Sequence, residues 1–107
     1  MNQSNIEVIS FQGGDGSSVC DAVKITGALN FASGIEAEFE FIQSFIKNSN
    51  IQAIEGSVIS FESSTFHHVK VVTTNNEIRN IFFDASEFQK KIENESIEFV
   101  KEFSVVN

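Results

Sequence analysis

Three β-type runs, Ile51 to Glu62, Phe66 to Thr73 and Glu77 to Phe83, stand in immediate succession, divided only by Ser63-Ser64-Thr65 and Thr74-Asn75-Asn76. Links this short and polar make turns, whereas parallel neighbours need a crossover of about a dozen residues. Two consecutive hairpins follow, and with them an antiparallel sheet. In the second run Val69 and Val71 face one way with His67, while Phe66, His68, Lys70 and Val72 face the other. In the first, the apolar parity changes across Gly56-Ser57, from Ile54 and Val58 to Ile59 and Phe61, which predicts a bulge or bend there. The third ends Ile81-Phe82-Phe83, apolar on both faces.

Ahead of these runs the period changes. Setting Ile35 at zero and advancing about 100° per residue brings Phe39, Ile42 and Ile46 within about 40° of it, with Phe45 widening the stripe. The spacing predicts an amphipathic helix from Gly34 to about Lys47, with Ser33 placed to cap its first turn. Glu36, Glu40, Gln43 and Lys47 project on the far side. Glu38 lies about 60° from Ile35, on the flank of the stripe, where partial burial is expected. Further upstream, Asn5 to Phe11 is β-type, Gly13-Gly14-Asp15-Gly16-Ser17-Ser18 is a loop, and Ala22 to Thr26 is a short strand ended by Gly27 and Asn30. Downstream, Asp84 with Glu87 three residues on forms a capping-box pattern, which predicts a helix from about Ala85 to Asn94. Beyond it, Ile97, Phe99, Phe103 and Val105 fit either a helix or a strand, and both stay open.

The chain of 107 residues is read as a single α+β domain, 1–107: an antiparallel sheet of four to five strands with one main helix on one face and a C-terminal helix from about 85. Twelve Phe stand beside no Trp, Tyr or Pro, so every ring lacks a polar handle and is most simply core. A lone Cys makes no internal disulfide, no run approaches the roughly 20 apolar residues of a membrane span, and the first residues show no secretory pattern. A soluble cytoplasmic protein is expected, in which the sequons at Asn2 and Asn94 have no role. Fifteen acidic against seven basic side chains give a formal charge of -8. That charge repels nucleic acid and anionic lipid, and favours a basic protein partner.

Four segments carry a resemblance. The loop Gly13-Gly14-Asp15-Gly16-Ser17-Ser18, the following Ala22-Val23-Lys24-Ile25, the helix segment Glu36 to Ile42 and the ending Ile81-Phe82-Phe83-Asp84-Ala85-Ser86-Glu87-Phe88 resemble a group of small uncharacterised bacterial domains. Members have a GGDGSS loop, a Glu-aromatic helix and a terminal strand reading aromatic-Phe-Asp-x-Ser-x-Phe. The match departs after Phe88, where the group continues Phe-Gly-Lys and this chain has Gln89-Lys90-Lys91. The resemblance implies one compact α+β domain and brings no enzymatic activity with it.

The chemistry-bearing residues are few. The glycine loop lacks the Gly-Lys-Ser/Thr of a phosphate cradle, and Asp15 puts negative charge where an anion would sit. Asp15 and Asp21 also lack the alternating oxygen ligands and closing Glu of a calcium loop. His67 and His68, adjacent on a strand, point to opposite faces and do not grip one ion, so no metal and no cofactor is expected. Cys20 with one imidazole and Asp84 supplies the residue types of nucleophile, base and orienter, without a local signature. Glu36 and Glu40, with Glu93, Glu95, Glu98 and Glu102, form acidic series suited to a basic partner surface.

The leading expectation is therefore a non-enzymatic acidic binding protein, in its most concrete form an immunity or inhibitor-type protein that covers the basic surface of a toxin such as a nuclease. Two alternatives stand beside it. One is a small ligand-binding domain or enzyme using Cys20 with His67 or His68; the other is a homo-oligomeric interaction domain built on the Phe-rich C-terminal segment. A sheet face presenting Phe66, His68, Lys70 and Val72 is a further binding surface in any of these.

Overall fold

The structure, a computed structural model, describes residues 7–89 together with the backbone of 98–102. Six strands and one α-helix follow in the order β1 Ser10–Gly13, β2 Val23–Thr26, α1 Phe31–Gln43, β3 Ile51–Phe61, β4 Ser64–Thr73, β5 Ile78–Asp84 and β6 Glu98–Glu102. The first five strands make one sheet, with β6 added at the free edge of β3, in the order β1-β2-β5-β4-β3-β6. The two expected hairpins are present, β3 with β4 and β4 with β5, both antiparallel.

The sheet is mixed rather than wholly antiparallel. β2 runs parallel to β5, with Val23 opposite Phe83 and Lys24 opposite Asp84. The chain between them is long enough to return β5 in the same direction as β2, which no two-residue turn allows. β1 and β2 pair as an antiparallel hairpin, so the parallel step joins two antiparallel units.

The core lies between α1 and one sheet face, where Ile25, Ile42, Ile54, Val69, Val71 and Phe83 are buried. Alternation along β4 follows the sequence from His67 onward: His67, Val69 and Val71 turn inward, while His68, Lys70 and Val72 remain half-exposed on the other face; Phe66, expected on that presented face, is instead buried. The irregularity of β3 falls at Ile51/Ala53, where Gln52 has no partner, and pairing runs unbroken through Gly56 and Ser57. Ile51 and Ile54 are three apart yet both buried, and one extra residue is what brings both to the same face.

α1 begins three residues earlier than the apolar period indicates. Asn30, extended at φ -155°, is its N-cap, and its side chain accepts from the Ser33 backbone N–H at 2.9 Å. The Ser33 hydroxyl bonds the Glu7 carboxylate instead, which with the Leu29 N–H holds that group below the usual carboxylate range. The helix stops at Gln43, so Ile46 is buried from the turn beyond it. Phe45, expected to widen the apolar stripe, is 46% exposed.

The expected C-terminal helix is a single turn within the described residues, Phe88 and Gln89 both donating to the Ala85 carbonyl. The segment is tied to the sheet instead. Ala85 N donates to Thr65 O at 2.9 Å, the Ser86 hydroxyl bonds both Thr65 N and Thr65 O, and Glu87 accepts from Gly27 N at 3.1 Å rather than closing a capping box. Residues 90–94 of that prediction lie outside the described residues, while Glu98–Glu102, left open between helix and strand, pairs as β6.

Candidate functional site

Glu38 and His67 form the buried polar centre of the molecule. Glu38 sits on the sheetward side of α1 and His67 on the helixward side of β4, each at most 1% exposed, and Glu38 Oε2 lies 2.5 Å from His67 Nδ1. The expected partial burial of Glu38 is thus complete. Its other oxygen, Oε1, has no hydrogen-bond partner among the described residues. Burial pushes the Glu38 carboxyl above its ordinary value, while the hydrogen bond from His67 and its charge pull the other way.

The second ring nitrogen, Nε2, is 3.0 Å from Oε1 of Gln89 in the turn after β5. When that amide oxygen accepts, Nε2 donates, and which of Nδ1 and Glu38 Oε2 donates to the other follows from the ring tautomer. With the amide reversed, Nε2 accepts and the ring is neutral. In each arrangement one hydrogen bond joins His67 Nδ1 to Glu38 Oε2. Phe31 and Phe88 approach the ring edge-on, with centroids 6.0 and 5.4 Å away, and wall it from water. Gly34 permits this arrangement: a Cβ there would fall 2.1 Å from a ring carbon of Phe88.

Beyond Gln89 opens a cleft of about 490 Å³ lined by Leu29, Asn30, Phe31, Ser86, Glu87, Phe88 and Gln89. A polar path therefore runs from the cleft through Gln89 and His67 to Glu38. Leu29 and Phe31, exposed at 59% and 43%, give the cleft apolar rims. Its hydroxyl is committed, because Ser86 Oγ bridges the Thr65 backbone. Such a site suits recognition of a small apolar body with one polar group.

The other residues singled out in the sequence lie apart. His68 is on the opposite sheet face, stacked on Phe82 at 4.5 Å and 7°, with Nε2 2.9 Å from Asn80 Oδ1. Cys20 is exposed in the loop after β1, and Asp84 Oδ1 accepts from Ser86 N. The glycine loop folds onto the sheet: the N–H groups of Gly14, Gly16 and Ser17 donate to Ala22 O, Asp21 O and Asp15 Oδ1, and Gly16 O accepts from Phe82 N. Gly16 makes that approach with φ +87°, and a Cβ there would come within 2.9 Å of Ile81. Among the described residues no three His, Cys, Asp or Glu side chains gather as metal ligands.

Glu36 and Glu40 are exposed on α1. Glu93 and Glu95 lie outside the described residues, and Glu98 and Glu102 occupy β6 opposite Ser57 and Ala53. No helix among the described residues is long and apolar enough to cross a membrane.

Sequence reasoning did not single out Gln89, Asn30 or Phe31. The signal for the pair itself was divided between two places, Glu38 on the flank of a helical stripe and His67 on the apolar face of a strand. No family model, curated protein or solved structure matches the chain.

Proposed function

We propose that the chain is a non-enzymatic, cytoplasmic binding protein that presents carboxylates to a basic surface of a protein partner, a nuclease-type toxin being the most concrete case. The observation that supports this reading is on α1. Glu36 and Glu40, one turn apart, are exposed, and the helix from Phe31 to Gln43 contains no Lys, Arg or His. The ion pairs among the described residues, Glu38–His67 and Glu55–Lys70, involve neither carboxylate. Two adjacent unneutralised carboxylates attract a cationic surface, and the formal charge of -8 adds long-range steering.

The test is affinity capture from the source cell followed by association kinetics at rising salt. A basic partner is expected, with association slowed several-fold by Glu36→Gln/Glu40→Gln and by salt, since charges at an interface rim act mainly on the on-rate. Recovery of no basic partner, or binding indifferent to ionic strength, overturns the proposal.

A second reading is favoured by the cleft beside Gln89, whose apolar rims and buried polar path suit a small ligand. It differs from the first in predicting that Phe31→Ala abolishes binding while Glu36→Gln/Glu40→Gln leaves it intact.

A further inference from the structure

Of the four Lys and Arg side chains that the structure describes, Lys24, Lys47, Lys70 and Arg79, two converge on one cleft. This cleft, of about 490 Å³, opens between the end of α1 and the β4–β5 turn, and Phe45, Lys47, Asn50, Thr74, Glu77 and Arg79 are among its walls. Neither Lys47 nor Arg79 has a carboxylate within ion-pair distance among the described residues. The Arg79 guanidinium lies over the Phe45 ring, 5.8 Å from its centroid, and that ring is fixed in turn by an edge contact with Phe41 at 5.6 Å. A cation seated on an aromatic face keeps its in-plane N–H groups for an acceptor. The two sides of the cleft are joined by Thr74 N donating to Asn50 O at 3.0 Å, so the cations project from a braced frame.

We propose that this cleft binds a small carboxylate with an apolar body, its oxygens taken by Lys47 and Arg79 and its body set against the exposed part of the Phe45 ring. The overall charge of -8 does not forbid it, because exposed charges more than about 8 Å away are largely screened at physiological ionic strength. Glu77 on the same rim sets the charge of the ligand: two cations against one carboxylate favour a monoanion over a dianion. Phe45 favours a ring or chain over a bare anion. The site is independent of the acidic surface on α1 and stands or falls without it.

The probe is benzoate, with acetate and inorganic phosphate as comparisons, titrated into the full chain at neutral pH and physiological ionic strength while backbone and arginine side-chain NMR signals are followed. Saturable shifts are expected at Asn50, Thr74 and the Arg79 Nε–H, with benzoate binding tighter than acetate or phosphate. Arg79→Gln and Lys47→Gln should each weaken benzoate about tenfold, the usual scale of one charge-assisted hydrogen bond. Arg79→Lys should fall between, keeping the charge but losing the fork. Glu77→Gln should tighten binding about threefold by removing like charge, and Lys24→Gln should change nothing. The proposal is overturned if Lys24→Gln weakens binding as much as Arg79→Gln, or if benzoate binds no better than acetate and phosphate.

Discussion

Glu38 and His67, 29 residues apart in the chain, close on each other at 2.5 Å across the interface between α1 and β4, both withdrawn from water. A buried pair of this kind is costly to break by halves. His67→Ala leaves a carboxylate buried with neither oxygen partnered among the described residues, and about 3–5 kcal/mol of stability should be lost. Replacing both groups by apolar side chains of similar size, as in Glu38→Leu/His67→Phe, should cost far less than the sum of the single changes. Urea denaturation of the two singles and the double gives the coupling directly. Additive losses would show that the two side chains do not act together.

The same pair makes stability depend on pH. Burial raises the Glu38 carboxyl above its ordinary value of 4.5, so the folded chain holds that proton more tightly than the unfolded chain does. The resulting contribution is fully present below pH 4.5 and is lost as pH rises through the raised folded value. Unfolding free energy should therefore decline from pH 4.5 upward through that window. Glu38→Gln should flatten this decline, because the amide carries no proton to lose. Denaturation midpoints at half-unit steps from pH 4 to 8 measure both slopes. Equal slopes would remove Glu38 as the source.

The parts of the fold visible in the sequence are those encoded locally. The stripe Ile35, Phe39 and Ile42 gives the helix its period, and the alternation around Val69 and Val71 sets the inward face of β4, since each needs only a few neighbouring side chains to be read. Pairing across distance leaves no such trace. Nothing near Val23 announces that it will lie parallel to Phe83, and the sheet was accordingly expected to be antiparallel throughout. The helix starts at Phe31 and not at Gly34 because Asn30, as good a cap as Ser33, takes that role ahead of an apolar period that begins only at Ile35. The Glu38–His67 centre was half legible. Each residue was turned toward the interior by its own element, but only the packing of α1 on β4 makes them partners, and Gln89 joins through a turn that the sequence suggested as helix.

Gly34 is a packing requirement more than a backbone one. It lies inside α1, where Ala is preferred by about 1 kcal/mol, yet a Cβ would fall 2.1 to 2.4 Å from three ring carbons of Phe88. Gly34→Ala should therefore destabilise the protein by about 1–3 kcal/mol, in the range of overpacked cores. In a Phe88→Ala background the obstruction is gone and the sign should reverse, with Gly34→Ala stabilising by up to about 1 kcal/mol. Thermal unfolding of the four variants tests the reversal. A penalty that persists without Phe88 would place the constraint elsewhere.

Asn30 and Ser33 divide the helix start between them, and their roles are separable by mutation. The Asn30 side chain accepts from Ser33 N at 2.9 Å, satisfying one of the unpaired donors of the first turn, and Asn30 itself is extended as an N-cap must be. Removing that acceptor in Asn30→Ala should cost about 1 kcal/mol. Asn30→Asp should hold stability near the parent, because a carboxylate accepts the same bond and faces the positive end of the helix. Ser33→Ala leaves its backbone N–H in place and removes only the hydroxyl contact with the exposed Glu7, so its effect should be within about 0.5 kcal/mol of zero. Urea midpoints of the three variants decide the assignment: a loss in Ser33→Ala equal to that in Asn30→Ala would return the cap to Ser33.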